Sequence, residues 1–416
     1  PLTNPACTDK MITYIAAKFG GIKRMMILIC NAGSTSLKFK LWQMPEFTIL
    51  AEGHVERVGS ERGIFSYKSP AGGFSRENLS IPDYESGIRL FLDALTVSDC
   101  RALDSLAQLD AIGYKTVLSK DHYGVHFLTE EVLEGMRAYY SVAPAHNGPY
   151  LDAIRVFSRL LPDIPQVGVF ETAFHQSIPM ERRVFPIPYE WTQRYGIMRM
   201  GYHGASHGYV AERLKAHRRV VSCHLGGSAS LCAILDGRSM DNSFGFSLQM
   251  GIPHASRTGD VDPYIVPYLL EKGLSIEEIY AGLGKNGGLK GVSGTSGDMR
   301  DIEQAIAEGS ERALLALKVL HTHIIRYIGA YAMELGGLDA LAFTGGIGEN
   351  SARLRHMVMQ SMAHMGVIED EASNTCGTGE HLVSAADSQI AVYVIPANEE
   401  YMVVRETYRI CSENKH

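Results

Sequence analysis

The sequence predicts an α/β fold with mixed sheets, built from two similar halves. Three observations lead there. Strand-like runs open the chain and return after Val220, helical spacing fills the segments that follow each set, and a strand–turn–strand pattern at 27–40 has a counterpart at 220–234. Strands followed by helices, twice over, is the order expected of sheets covered by helices.

Taken in order, residues 25–67 read as strands with short turns, since Leu37, Phe39 and Leu41 alternate with Lys38 and Lys40. In 84–95, Ile88, Phe91, Leu92 and Leu95 recur at helical spacing. Residues 109–117 form a strand candidate, helices are expected at 129–140 and 149–160, and 166–170 reads as a short buried strand ending at Glu171. After Val220 strands return, followed by helices near 263–271 and 276–283 and a long helical region at 301–335 interrupted near Gly309. No low-complexity linker separates the halves. The expected organisation is an extension at 1–24, a first domain of 25–170 plus 400–416, and a second domain of 171–399.

Composition narrows the function. A chain of 416 residues suggests two or three domains, and 20% charged with 45% hydrophobic residues is ordinary for a globular protein. The net charge of -7 has interspersed signs and no basic stripe, so no nucleic-acid partner is expected. No apolar run approaches a transmembrane length, and no membrane partner is expected. Seven cysteines lie scattered without a C-x-x-C pair, the pattern of reduced thiols in a cytoplasmic protein. Residues 1–24 lack the basic n-region of a signal peptide and precede a natural start at Met25 or Met26.

The turns carry the chemistry. Asn31-Ala32-Gly33-Ser34-Thr35-Ser36 offers hydroxyls and backbone N–H groups suited to phosphate oxygens, with the Lys38 charge beside them. The same residue types also make ordinary hairpins, and this segment alone supports both readings. Aligning Cys30 with Cys223 sets Gly33 on Gly226, and a one-residue slip then sets Ser36 on Ser230. A third glycine-rich segment, 341–351, leads into a helix starting near Ser351, where the backbone can approach a nucleotide closely. Neither G-x-x-x-x-G-K-[ST] nor G-x-G-x-x-G occurs, which argues against the P-loop and Rossmann solutions.

With these residues in place, the chain resembles the acetate kinase family of the acetate and sugar kinase/Hsp70/actin superfamily. The segments that carry the resemblance run in family order: Asn31 to Ser34, Val169 to Gln176, Gly201 to His207, Cys223 to Gly226, Arg257 to Pro263, Ser296 to Glu303, Phe343 to Ser351 and Pro396 to Glu400. The resemblance implies a duplicated ribonuclease H-like (actin-like ATPase) fold, two domains with a nucleotide cleft, and a homodimer. It implies phosphoryl transfer between ATP/ADP and a short carboxylate, assisted by Mg²⁺ or Mn²⁺. By motif position, Asn31 and Glu399 would hold the metal. Lys38, the loop His224, Leu225, Gly226, Gly227 and Ser228, the segment Asp298, Met299 and Arg300, and Gly346, Ile347, Gly348, Glu349 and Asn350 would contact the nucleotide. Glu171, His203, Arg257 and Lys115 would act in catalysis. Lys115, Val117, Ala145, His146, Tyr202 and Leu248 would line the acceptor site.

The departures from the family concentrate at that acceptor site. Lys115 stands where the family has arginine, and loses its planar fork. Glu171 replaces aspartate, moving the carboxylate about one methylene outward; a misplacement near 1 Å can cost ~100-fold in rate. Gly227 and Ser228 replace asparagine and glycine. Ala145, Tyr202 and Leu248 replace leucine, phenylalanine and proline, from which an acceptor larger or more polar than acetate is expected. Two alternatives stay open: a weak or silent nucleotide-binding relative with a regulatory role, and a phosphoryl donor other than ATP.

Overall fold

Along β2 (Ser36–Met44) Leu37, Phe39 and Leu41 are buried and Lys38 is exposed, the two-residue period of a strand with one apolar face. Trp42 and Met44 carry apolar contact onto the other face, so the strand is covered on both sides at its end. The computed structural model describes residues 23–140, 142 and 144–413, so the expected extension at 1–24 lies outside the described residues apart from Lys23 and Arg24. The chain falls into two compact units, Pro1–Ala173 with Glu399–His416, and Phe174–Asn398. Glu171 and Glu399, assigned to the second domain by the sequence reading, lie in the first unit.

The first unit is built on one sheet of β1 (Met25–Ala32), β2, β3 (Thr48–Glu56), β4 (Ser60–Ser69), β5 (Gly72–Ile81), β6 (Ala111–Tyr114), β7 (Val125–Phe127) and β8 (Gln166–Val169). Its order is β5-β4-β3-β2-β1-β6-β8-β7, with β6 parallel to β1 and β8 parallel to β6. β5, seven of whose ten residues are not buried even in part, gave no apolar signal in the sequence. One face packs on helices Tyr84–Thr96 and Pro144–Leu160 through Leu28, Phe39, Phe91 and Phe157. The Phe39 and Phe91 rings stack at 4.4 Å, worth about 1 kcal/mol beyond their burial. The opposite face packs on the C-terminal helix Glu399–Glu413 through Ile27, Ile29, Val403 and Tyr408. Helix Pro144–Leu160 starts ahead of the expected position because Pro149, read as a first-turn residue, lies inside it.

The second unit has β9 (Arg219–Leu225), β10 (Ala229–Leu235), β11 (Arg238–Asn242), β12 (Ala340–Thr344), β13 (His381–Leu382) and β14 (Ala391–Val394), ordered β11-β10-β9-β12-β14-β13. Helices Met299–Ala307, Glu311–Glu334 and Ala352–Ser361 cover one face, and Gly204–Arg213 the other. The helical region splits at Gly309, as its sequence suggested. Ile324, Ile328 and Tyr331 all face this core.

The strand sets β3-β2-β1-β6-β8 and β11-β10-β9-β12-β14 share one plan: two antiparallel steps on one side of the first strand and two parallel steps on the other. Register corrects one detail of the internal alignment. Asn31 pairs with Lys38 and His224 pairs with Ser230, so Ser230 corresponds to Lys38 rather than to Ser36. The second turn is one residue shorter, a difference that strand pairing reveals and residue similarity does not.

Candidate active site

The parallel strands of the first unit end together and bring candidate residues to that end, the usual place for a site in parallel sheets. Asn31 is the penultimate residue of β1, Lys115 directly follows β6, and Glu171 lies two residues past β8, its N–H donating to the Thr116 carbonyl at 2.9 Å. Glu399 and Glu400 open the C-terminal helix, where the helix dipole favours negative charge. The Lys115 Nζ lies 3.0 Å from Glu171 Oε1 and 2.7 Å from Glu399 Oε2. Burial opposes the lysine charge, but the two carboxylates outweigh it and hold the ammonium well above the ordinary lysine range. Two carboxylates against one ammonium leave the cluster net negative. Glu400 does a different job: it accepts from Asn31 Nδ2 at 3.2 Å and pairs with Lys40 at 2.6 Å. Asn31 Oδ1 is then left buried without a protein partner. That orphaned oxygen and the Glu399 carboxylate are hard oxygen donors of the kind Mg²⁺ or Mn²⁺ takes.

The first phosphate turn is tied down by Tyr84, whose hydroxyl donates to the Gly33 carbonyl at 2.6 Å, and Lys38 projects exposed beside it.

In the second unit, strand alternation places Ser222, His224 and Ser230 on the face met by helix Gly204–Arg213, and His203, Ser206 and His207 meet them from its first turns. His203 Nδ1 lies 2.9 Å from Ser230 Oγ, and its ring sits 4.1 Å from that of His224. His203 has φ 58, a strained conformation for a non-glycine residue, of the kind that concentrates at functional sites. Gly201 (φ 72) precedes it because a Cβ there would meet the His175 ring at 2.6 Å. Arg257 is half-buried; its guanidinium donates to the Leu248 carbonyl at 2.5 Å, no carboxylate pairs with it among the described residues, and burial pulls it down to about 10. A half-buried cation whose one partner among the described residues is a carbonyl is suited to receiving an anion.

The segments expected to contact the nucleotide are braced by their neighbours. The Gly227 carbonyl accepts from Ala255 N–H at 3.0 Å and Ala229 N–H donates to His254 Nδ1 at 2.9 Å, tying the second phosphate turn to the Arg257 segment. Gly345, at φ 76, has room for no Cβ, which would meet the Leu225 carbonyl at 2.8 Å and His224 Nε2 at 3.2 Å. The following residues form a short helix, Gly345–Asn350, in which Asn350 Nδ2 donates to the Gly346 carbonyl. Buried Arg355 donates to the Gly348 and Glu349 carbonyls at 2.9 and 2.8 Å, and Asn374 holds the Arg355 guanidinium. Glu349 Oε1 accepts from Ala397 N–H at 3.0 Å, which makes it a brace between loops. Asp298 caps helix Met299–Ala307 and pairs with Arg300, which holds its carboxyl near 2.

Several expectations need correction. The side chains of Leu225 and Met299 are buried in the core, which leaves their backbones for a ligand, whereas Ile347 packs against the core and stays partly exposed. The Tyr202 hydroxyl, expected to make the acceptor pocket more polar, is buried and donates to the Phe246 carbonyl at 2.8 Å. Val117 is buried and Leu248 half-buried. Ala145 and His146 lie in the first turn of helix Pro144–Leu160, and their side chains are outside the described residues. Lys115, Val117, Ala145 and His146 belong to the first unit; Tyr202, His203, Leu248, Arg257 and the nucleotide segments belong to the second. Sequence reasoning missed Arg355, Ser206 and the separate partners of Glu399 and Glu400. Ser230 was visible only as a repeat position.

The family model of the acetokinase family matches residues 26–405. The acetate kinase of Shouchella clausii is 42% identical over 400 residues, covering 93% of this chain and 99% of the relative. That of Bacillus subtilis is 39% identical over 397 residues, covering 92% and 99%. Among solved structures, the Porphyromonas gingivalis acetate kinase superposes with a TM-score of 0.84 at 35% identity, covering 93% of this chain and 99% of that one. A Francisella tularensis propionate kinase gives 0.83 at 32%, covering 92% and 98%. With a two-sheet α/β fold, an ammonium–carboxylate cluster at the strand ends and a histidine–arginine donor set in the second unit, the chain belongs to the acetokinase family.

Proposed function

We propose that this acetate kinase-like phosphotransferase moves the terminal phosphoryl group of ATP onto acetate or a close neighbour such as propionate by direct in-line transfer. An oxygen of the carboxylate forms the new bond to phosphorus, the bond to the β-phosphate oxygen breaks, and ADP leaves with the electron pair. Chemistry of this kind needs positioning and positive charge around the equatorial oxygens more than covalent assistance. His203 and Arg257 supply donors to those oxygens. The Gly226–Ser228 turn and Lys38 hold the chain of phosphates, and Gly346–Asn350 with Asp298–Arg300 hold the nucleoside. Lys115 has three ammonium hydrogens, of which Glu171 and Glu399 take two, and the third is available to the incoming carboxylate. Asn31 and Glu399 would hold Mg²⁺, which would neutralise charge on the β- and γ-phosphates.

The observation that carries an active enzyme over a silent relative is the Lys115–Glu171 contact. The two departures most suggestive of lost function meet at 3.0 Å, a shorter cation reaching a longer carboxylate. Incubation with Mg-ATP and formate, acetate, propionate or butyrate, with acyl phosphate trapped as the hydroxamate, tests the proposal. Turnover led by acetate or propionate supports it. Measurable ATP binding without any hydroxamate would favour the silent relative.

We further propose that both sheets are ribonuclease H-like cores, on the strength of their common strand plan, and that two copies of the chain pair. Helix Ile265–Glu271 has no buried residue, and Tyr264, Tyr268 and Tyr280 around it are 79%, 58% and 63% exposed, an apolar surface that a second copy would cover. The free cysteines favour a reducing, cytoplasmic setting.

A further inference from the structure

Four side chains in the second unit form one line of hydrogen bonds: Ser222 Oγ to His207 Nδ1 at 2.8 Å, His207 Nε2 to Ser230 Oγ at 2.8 Å, and Ser230 Oγ to His203 Nδ1 at 2.9 Å. Ser222, Ser230 and His207 are fully buried, and no carboxylate takes part. Burial drives His207 well below the ordinary histidine range, so it is neutral and carries one ring proton.

Hydrogen counting then fixes the direction. Each serine has one hydroxyl hydrogen, and a buried hydroxyl without an acceptor is costly. Suppose His203 donated from Nδ1 to Ser230. Ser230 would then either donate to His207 Nε2 or keep an orphaned hydrogen. If it donated, His207 would carry its proton on Nδ1 and donate to Ser222, and the Ser222 hydrogen would have no acceptor in the line. The reverse direction satisfies every group. Ser222 donates to His207 Nδ1, His207 donates from Nε2 to Ser230, and Ser230 donates to His203 Nδ1.

We propose that Ser222, His207 and Ser230 form a relay that sets the tautomer of His203, placing its proton on Nε2, the nitrogen that does not face Ser230, from which it would donate to the transferring phosphoryl group. Ser222, His207 and Ser230 are positioning residues, acting through His203. The phosphoryl role of His203 rests on the function proposed above, whereas the tautomer rests on the hydrogen bonds alone. The relay also opposes protonation of His203 at Nδ1, because an imidazolium would need to donate to Ser230 and would reverse the line. Titratable groups beside it among the described residues include His224 at 4.1 Å from the His203 ring, and His175 and His224 at 5.9 and 6.4 Å from that of His207. Burial holds His175 near 4, and the Ser206 hydroxyl lies 2.8 Å from His224 Nδ1.

The test reads the ring nitrogens of the full-length protein by ¹⁵N NMR, with His203→Gln supplying the assignment. In the wild type at pH 7, His203 is expected to carry its proton on Nε2 by at least ~10-fold over Nδ1. Ser222→Ala, which removes a group that does not touch His203, frees the line to reverse and should bring the two tautomers to within ~2-fold of each other. It should also raise the pH at which His203 protonates and lower kcat ~2- to 10-fold with little change in either KM. Ser222→Thr should restore the wild-type pattern. A wild-type His203 protonated on Nδ1, or a tautomer ratio that Ser222→Ala leaves unchanged, overturns the relay; the wild-type spectrum alone decides if the variants do not fold. Full activity in His203→Gln would instead refute the phosphoryl role while leaving the relay to be judged by the spectra.

Discussion

Lys115→Arg and Glu171→Asp, singly and together, separate a co-adapted site from a decayed one. In the structure the ammonium sits 3.0 Å from Glu171 Oε1 and 2.7 Å from Glu399 Oε2, with the Glu171 side chain 6% exposed and that of Lys115 25% exposed. Shortening Glu171 by one methylene withdraws its carboxylate by about 1.5 Å, one carbon–carbon bond. The contact would open to roughly 4.5 Å, beyond hydrogen-bond reach. Glu399 still holds the cation, so the stability loss should be ~1–3 kcal/mol, below that for fully breaking a buried pair. The displaced ammonium should cost ~100-fold in kcat. Lys115→Arg places a larger, planar cation between two carboxylates already at contact, and should lose ~10-fold. The double variant restores the combined reach with the lengths exchanged, and its kcat should return to within ~10-fold of wild type. That corresponds to a coupling of at least ~100-fold, or ~2.7 kcal/mol, near the top of the range for residues in direct contact. Initial rates of hydroxamate formation at saturating ATP and carboxylate give the four kcat values, and denaturant midpoints report folding in parallel. If the two losses simply multiply in the double variant, the pair is not coupled. If either single reversion raises activity, the substitutions only weakened the site.

Arg355→Ala should raise KM for ATP about 10-fold and leave that for the carboxylate unmoved, since Arg355 holds the Gly348 and Glu349 carbonyls; steady-state titration of each substrate distinguishes the two. Its stability cost should be roughly 3 kcal/mol, because Asn374 and both carbonyls lose a charged donor. Tyr202→Phe should leave the ranking of carboxylate acceptors unchanged and cost ~1 kcal/mol, as the hydroxyl serves the Phe246 carbonyl; a reordered ranking would return it to the acceptor site. Acidification should destabilise the fold below about pH 6.5. Burial lowers His175 to about 4 and, with the Arg257 charge, His254 to about 3, so the unfolded chain binds protons that the folded chain refuses. At ~1.4 kcal/mol per pH unit, His175 contributes roughly 3.5 kcal/mol and His254 roughly 5 kcal/mol, both fully present above pH 6.5 and lost as pH falls toward about 4 and about 3 respectively. A denaturant midpoint that stays flat from pH 7 to pH 5 would refute this.

What could be read from the sequence was whatever depends on short range. Alternation announced β2, helical spacing announced Tyr84–Thr96, and Gly309 announced the break before Glu311–Glu334. Candidate site residues could be named from the sequence because the motifs keep their order: Asn31, His203, Arg257 and Glu399 came from motif position. Partnership was not legible, because partners are set by register and fold. Glu399 and Glu400 are adjacent in sequence, yet one faces Lys115 and the other faces Asn31 and Lys40. Met299 and Leu225 sit inside functional motifs but point into the core, since a strand or helix turns every other or every third side chain inward. Arg355 gave no signal at all: an arginine on a helix reads as solvated until its buried carbonyl partners are known.

The internal repeat explains why two such different chemistries stand at matching places. Asn31 pairs with Lys38 across the first turn, and His224 pairs with Ser230 across the second. At one register position the first sheet puts an amide and an ammonium, while the second puts an imidazole and a hydroxyl. The first set suits a metal ion and the phosphates around it, because it combines an acceptor oxygen with a fixed charge. The second suits a neutral donor held in one tautomer, because serine can both accept and give a hydrogen while carrying no charge. A carboxylate at Ser230 would raise the basicity of His203 and of His207 together, and would place an anion in a buried layer whose histidines are kept neutral by that same burial. Hydroxyls orient the ring without that penalty, which is a physical reason for serine, rather than aspartate, behind the histidine of this site.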